Sequence, residues 1–312
     1  MTVNEIENIS ETRIEKEGRE GEGEGEEQEQ QCESINQGAS FSLVWSSGID
    51  VFKRIIKTLG KLEGEGEITF KVTKDGLFYR QMDRSHVSLI DLYFSSEDFE
   101  SFQCMREGKF TIRSEDLLSR LDRAGREDLL ELSSSSSSSS IENSDSLNII
   151  LKGRRTTKSF SLNLTMDSPK SDTPLPKLSF ESSFQIQAKD LIEVLKDIET
   201  TNNHFTLKAT NGRQQVVFFA KGDLGTVKDE LTHLEINTSV EEQHQGQQIT
   251  EKETIATYSI QYLSDFLNTL KPESIKVEFS TKMPLRLTVQ PLKEGSSKSI
   301  LQFYLAPRID EI

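Results

Sequence analysis

The stretch Thr165 to Leu178, TMDSPKSDTPLPKL, decides how the rest of the chain is read. Pro169, Pro174 and Pro176 cannot continue a helix, because each lacks a backbone N–H and its ring collides with the preceding turn. The intervening Asp and Ser residues favour turns. Residues 166–180 are therefore expected to be a connector between two domains, 41–165 and 181–312. Working outward from it, the same succession of elements occurs on each side. In the first half, Ile49 to Leu59 is predicted to be an amphipathic helix, apolar at Val51, Phe52, Ile55, Ile56 and Leu59. Strands ITFKVT, LFYRQM and SHVSLIDLYF follow, with a turn at Lys74-Asp75-Gly76. A second helix, Glu115 to Ala124, precedes strands DLLEL, LNIIL and KSFSLNL. In the second half a helix from Lys189 to Ile198 precedes HFTLKA, a turn at Asn211-Gly212, QQVVFFA, ELTHLEIN and ATYSI. A helix from Gln261 to Leu270 then leads into SIKVEFS, LRLTVQP and ILQFYLA. The apolar-polar alternation gives each sheet one buried and one wet face. The fold class is α+β, two similar domains with two short helices each.

At 312 residues the chain favours two domains over one. With 34% hydrophobic and 29% charged residues it is a solvated globular protein, and no apolar run approaches the length of a membrane span. The Glu-rich start is neither a secretory signal nor an Arg-rich transit peptide. Cys32 and Cys104 are too few for a disulfide framework and fit a reducing interior. The formal charge is −15, but residues 1–40 carry 12 Glu against Arg13, Lys16 and Arg19, a net −9. The remaining chain is only mildly acidic, so net charge does not exclude nucleic acid as a partner. Residues 1–40 lack any apolar period and are expected to be disordered. The serine run gives a flexible insertion over 133–145, and Glu241 to Lys252 reads as another loop insertion.

No motif supports catalysis. Asp83-Arg84-Ser85-His86 assembles the residue types of a triad, but on an extended segment neighbouring side chains point to opposite faces. The Gly-rich pieces near Gly21 and Gly64 lack the Lys-Ser/Thr of a phosphate loop. The four His and two Cys have no metal-ligand spacing. His233 and His244 and acidic pairs such as Glu97-Asp98 read as solvated surface. No enzyme activity, cofactor or metal is expected.

Three segments carry a resemblance. Gln81 to Ile90 (QMDRSHVSLI) resembles the central strand signature of the proliferating cell nuclear antigen family, the archaeal and eukaryotic sliding clamps. Phe303 to Asp310 (FYLAPRID) resembles its C-terminal signature, and Val51 to Leu62 (VFKRIIKTLGKL) is similar to its first helix. The resemblance covers roughly residues 41–310, broken at the serine run and near Glu241; residues 1–40 have no counterpart. It implies two clamp domains with sheets outside and helices inside, and subunits closing as a trimer around duplex DNA. It implies a processivity factor that recruits polymerase, clamp loader, flap endonuclease and ligase-type clients through short peptides.

Carried over by position, the partner groove would comprise Met82, His86, Val87, Leu89, Leu175, Pro176, Phe180, Pro284, Leu305, Ala306 and Pro307. For Leu89 and Leu305 the competing reading is plain core packing. Subunit contacts would form by strand pairing at Phe160 and Leu162 on one edge, and at Val227 to Leu231 on the other. The DNA-facing cations would be Lys53, Arg54, Lys57, Arg120, Arg123, Arg126, Lys189, Lys196 and Lys271. Asp122, Glu193, Gln261 and Asn268 stand where the family tends to be basic. A checkpoint, repair-type or heterotrimeric paralogue, or a scaffold of the same fold that does not encircle DNA, therefore stays open. The compartment is cytoplasmic if the source is archaeal and nuclear if it is eukaryotic, with no membrane partner.

Overall fold

The computed structural model describes residues 39–308, apart from 47, 64–65, 126, 136–145, 166–172, 176, 211–214, 224, 233–236, 239–252 and 293–296. The acidic residues 1–38, the loop 239–252 and most of the serine insertion thus lie outside the described residues.

The first half runs β1 (Ala39–Trp45), α1 (Ile49–Glu63), β2 (Glu67–Thr73), β3 (Gly76–Met82), β4 (Ser88–Ser95), β5 (Ser101–Cys104) and β6 (Gly108–Arg113). It continues with α2 (Ser114–Leu121), β7 (Leu129–Ser135), β8 (Ser146–Lys152) and β9 (Thr157–Asn163). The second half runs β10 (Ser182–Gln187), α3 (Ala188–Glu199), β11 (His204–Thr210), β12 (Gln215–Gly222), β13 (Gly225–Thr232) and β14 (Asn237–Thr238). Then come β15 (Glu253–Ser259), α4 (Ile260–Leu270), β16 (Ser274–Phe279), β17 (Leu285–Val289) and β18 (Ile300–Leu305).

All four helices fall where the apolar period places them. Each buries a stripe spaced three or four residues apart, in α1 Phe52, Ile55, Ile56 and Leu59. Strands β1, β5, β6 and β10 were not read from the sequence. Boundaries also differ: α1 runs on to Glu63 and α2 ends at Leu121, and two strand boundaries shift. Ser133 to Ser135 do not begin a flexible insertion but extend β7, paired with Asn148, Leu147 and Ser146. The strand expected from Ser85 starts only at Ser88, and the segment before it is a tight loop.

The strands form three antiparallel sheets. The first half closes one of its own, in the order β5-β1-β7-β8-β9, and the second another, β13-β12-β11-β15. The third has nine strands, β14-β10-β16-β17-β18-β4-β3-β2-β6, and is shared. Its two parts meet where β18 pairs β4, with Phe303 opposite Ile90 and Tyr304 opposite Leu89. At the hairpin joining β2 and β3, Gly76 has φ +146°, and an added Cβ would lie 1.9 Å from the Phe94 carbonyl oxygen, so only glycine fits.

Helices α1 and α2 pack together in the first half and α3 and α4 in the second, while α1 meets α4 across the seam. The core is a single cluster spanning both halves. Trp45 meets Phe52, Phe94 and Phe99 edge-on, and Phe266 of α4 stacks on Phe303 at 4.5 Å between ring centres. A polar clasp supports the seam. The Asp98 carboxylate accepts hydrogen bonds from the hydroxyls of Ser297 and Ser299 and from the backbone N–H of Lys298 and Ser299. Burial alone would raise its pKa; the Ser299 and Ser297 bonds and the two backbone donors together outweigh burial and hold it below the ordinary value.

Candidate functional site

The connector leaves β9 at Thr165, which bridges Thr111 on the β6 edge of the nine-stranded sheet. It re-enters the fold at Ser182 of β10, towards the other end of the sheet. Of its described residues, Thr173 lines a cavity on the outer face, the face turned away from the core, and Phe180 lies against Arg286 there. On that face one row of strand partners runs Met82, Leu89, Tyr304, Arg286, Glu278. Arg286 ties the connector down, with its guanidinium 4.5 Å from the centre of the Phe180 ring and its Nε donating to Glu278 at 2.7 Å. Burial would push Glu278 up, but the hydrogen bonds from Arg286 and Lys276 outweigh it and its pKa is lowered.

The loop before β4 is organised by one carboxylate. Asp83 accepts the backbone N–H groups of Ser85, Val87 and Ser88, the last two at 2.8 and 2.6 Å. This satisfies donors that a tight turn would otherwise leave open. His86 has φ +58° and is exposed at the loop's tip. The segment is thus not extended, and Asp83 serves there to hold the turn through backbone donors.

A cavity of about 360 Å³ opens beside this loop, lined by Met82, His86, Phe78, Arg80, Lys71 and Thr173 among others. Only Met82 and His86 of the expected groove residues line it. Val87 and Ala306 lie alongside, joined by Ala306 N–H donating to the Val87 carbonyl at 2.8 Å. Arg308 N–H donates to the Thr257 carbonyl, also at 2.8 Å, so Pro307 is bracketed by two fixed residues. Pro284 is half-buried at the start of β17, and Leu175 is exposed. Pro176 lies outside the described residues.

Two assignments are corrected. Leu305 is fully buried on the core face and belongs to the core cluster, because register with Leu285 and Ser88 turns it inward. Leu89 is on the outer face, opposite Tyr304, but is only 2% exposed and lines no open groove. Phe78 and Arg80 went unnoticed, although period-two alternation along β3 puts them on the same face as Met82.

The expected cations divide by helix. Lys57 is exposed on α1; Lys53 is half-buried, 3.9 Å from Asp122; Arg54 is half-buried, its Nε lacking a hydrogen-bond partner among the described residues. Lys61, missed in the sequence, shares that solvent face and donates to Thr269 Oγ1 of α4 at 3.1 Å. Lys189 and Lys196 are exposed on α3, and Lys271 closes α4 in a left-handed conformation. Arg123 is exposed just past α2, while Arg126 lies outside the described residues. Arg120 is not on the open helix face: its guanidinium lies 6.0 Å over the Phe160 ring at the edge of β9.

Strands β9 and β13 are the terminal strands of their sheets. Each has one side without a strand partner among the described residues. Phe160 and Leu162 face the helix side of β9, and Val227 and Leu231 that of β13, where all four pack on the core. Among the described residues no group of His, Cys, Asp and Glu could hold a metal ion, and no helix is long and apolar enough to cross a membrane.

The sequence matches the family models for the proliferating cell nuclear antigen N-terminal domain over residues 46–173 and C-terminal domain over residues 174–308. A protein of Nitrosopumilus maritimus named DNA polymerase sliding clamp is 30% identical over 268 residues, covering 85% of this chain and 97% of that one. The protein of the same name from Pyrococcus furiosus is 27% identical, covering 87% of this chain and 99% of its own. The solved clamp of Thermococcus kodakaraensis superposes with a TM-score of 0.73 at 23% identity, over 86% of this chain and all of that one. That of Entamoeba histolytica gives 0.72 at 21% identity, over 87% and 100%. These superpositions share the fold described above.

Proposed function

The chain belongs to the proliferating cell nuclear antigen family of DNA polymerase sliding clamps, and from that premise we propose that three copies close head to tail around duplex DNA. The observation that supports this reading is that each half offers a terminal strand at the edge the family uses for subunit contacts, β9 in one half and β13 in the other. The two edges differ, so each pairs the other kind on a neighbouring copy, and a suitable rotation between copies closes such contacts into a ring; the number three rests on the family. Pairing also covers backbone groups that would otherwise invite aggregation.

The four helices share the layer opposite the outer sheet face, so a ring built this way turns their solvent sides inward. There Lys53, Arg54, Lys57 and Lys61 of α1 meet phosphates, without reading bases. On the outside, the groove flanked by Met82, His86, the connector and Ala306-Pro307 takes short client peptides with an aliphatic residue and paired aromatics. Polymerase, clamp loader, flap endonuclease and ligase-type enzymes are the clients. Each buried anchor contributes roughly 1.5–3 kcal/mol, and ordering the peptide offsets part of it, so micromolar affinity is expected.

Light scattering at tens of micromolar, paired with primer extension on long templates, tests the reading. A trimer that lengthens polymerase products supports it. A chain that neither assembles nor stimulates synthesis, alone or with sister subunits, removes it. For the groove, Met82→Ala and Leu175→Ala should each weaken peptide binding in calorimetry without altering ring mass. Unchanged affinity in both places the peptide elsewhere.

A further inference from the structure

Residues 20–29, EGEGEGEEQE, place six Glu within ten positions, and no part of the clamp reading uses that charge. The chain enters the described fold at Ala39, and the Ser40 carbonyl accepts the backbone N–H groups of Met105 and Arg106 at 3.0 and 3.2 Å. The acidic segment is thus rooted beside an exposed arginine, at the turn between β5 and β6. Glu29 lies ten residues before Ala39, a stretch that spans at most about 35 Å. Lys109 of β6 stands three residues past Arg106, about 10 Å along an extended strand.

Strand β6 is the rim of a cationic depression on the outer face. Lys71 of β2 and Lys109 of β6 are register partners, like charges side by side on one face. With Arg80 they line the cavity of about 360 Å³ next to Met82 and His86. The carboxylates of that cavity are already engaged. Asp91 accepts the Arg80 guanidinium at 2.8 and 3.2 Å, and Asp83 the three backbone donors of its turn. Glu67, at the far end of this face of β2, lies opposite Arg113, and Glu107 accepts the Lys74 backbone N–H at 3.3 Å. Lys71 is exposed and forms no ion pair among the described residues. Lysines held directly opposite each other work against strand pairing unless an anion lies between them.

We propose that the Glu-rich segment of residues 20–29 docks on this depression of its own chain, bridging Lys71 and Lys109 and covering the Met82 and His86 flank of the client groove. A tethered segment competes at an effective concentration of about millimolar, so docking weaker than a client's own binding still screens the groove. Clients then bind by displacing it, and salt eases the displacement. Docking needs only the segment and the outer face; the competition rests on the groove reading above. Helix α1 is the other cationic surface, but it starts beyond the opposite end of β1, away from the root of the segment. Docking there is an alternative outcome of the test.

Carbodiimide coupling, which joins carboxylates to amines in contact, tests docking in the full chain. Peptide mapping of the species at subunit mass should find residues 20–29 joined to Lys71, Lys74 or Lys109. Couplings chiefly to Lys53, Lys57 or Lys61, or none beyond those formed in about 0.5 M salt, overturn the proposal. Replacing Glu20, Glu22, Glu24, Glu26, Glu27 and Glu29 by Gln leaves residues 39–308 untouched, so misfolding does not confuse the result. In calorimetry that chain should bind a peptide with an aliphatic residue and paired aromatics at least about threefold more tightly than the parent at low salt. The difference should vanish at about 0.5 M salt. If the couplings map to the outer face but both chains bind the peptide equally, the claim of competition falls. If neither chain binds the peptide, the groove reading fails, and the couplings alone decide whether the segment docks.

Discussion

Helices α1 and α3 open the two halves in equivalent positions, each running out of a strand, and beneath the surface they are built alike. One buries Phe52, Ile55, Ile56 and Leu59, the other Leu191, Val194, Leu195 and Ile198. Their solvent sides are opposites. Helix α1 carries Lys53, Arg54, Lys57 and Lys61 against Asp50; α3 carries Lys189 and Lys196 against Asp190, Glu193, Asp197 and Glu199. The buried stripe is what the fold requires, and it repeats. The wet side is free to diverge, and it has: cations outnumber carboxylates on α1, and carboxylates outnumber cations on α3.

The first way to break this comparison is to strike the shared frame. Ile56→Ala and Leu195→Ala remove equivalent fully enclosed side chains, and each should cost about 2–5 kcal/mol of unfolding free energy. Urea titrations read the loss. A cost below about 1 kcal/mol at either site would mean that the helices are not equivalent in packing.

Next comes the charge on α1. Replacing Lys53 and Arg54 by Ala should weaken DNA retention and flatten its dependence on salt by about 0.9 in logarithmic slope for each phosphate no longer neutralised. Processive synthesis should fall while the ring persists. Equal performance over a range of salt would show that α1 does not face DNA. Reversing the experiment sharpens the point. Glu193→Lys on α3 should strengthen DNA retention by a smaller factor, since one new cation neutralises one more phosphate, and filter binding at two salt concentrations would show it.

The smallest effect concerns the clasp that joins the halves being compared. Asp98 has a lowered pKa in the folded chain. A depressed carboxyl contributes stability above its unfolded value, about 3.9, and loses it as pH falls through the folded value. Asp98→Asn should therefore cost about 1 kcal/mol at neutral pH. The gap between parent and variant should close below about pH 4. A gap that does not narrow at all as pH falls below the unfolded value, about 3.9, would show that the lost stability comes from packing and not from ionisation.

Much of this was legible in the residues. The helices announce themselves because a buried stripe every three or four residues is a local signal, and the halves repeat it around a proline-marked connector. What escaped is non-local. Strand β4 pairs β18 across roughly two-thirds of the chain, and nothing in either segment names its partner. Alternation along β18 separates Tyr304 from Leu305 but does not say which faces the core, and only the resemblance places Leu305 in the groove, against the competing reading of core packing. Ser133 to Ser135 looked like linker by composition, yet register with β8 makes them strand. Arg120 was read by its helix; only the fold brings Phe160 beneath it. Phe78 and Arg80 could have been found, since Met82 marks their face of β3.

The shared nine-stranded sheet has a mechanical consequence. Backbone hydrogen bonds cross the seam at β4 and β18, Phe266 and Phe303 stack beneath them, and the connector is fastened above by Arg286. Bending one half against the other would shear a continuous ladder and a continuous core at once. Each subunit is therefore a stiff link, and in a closed ring the compliance is concentrated in the joints between links. If the ring closes through β9 and β13 as proposed, whatever prises it apart to admit DNA would do its work at one such joint, leaving the seams as rigid as before.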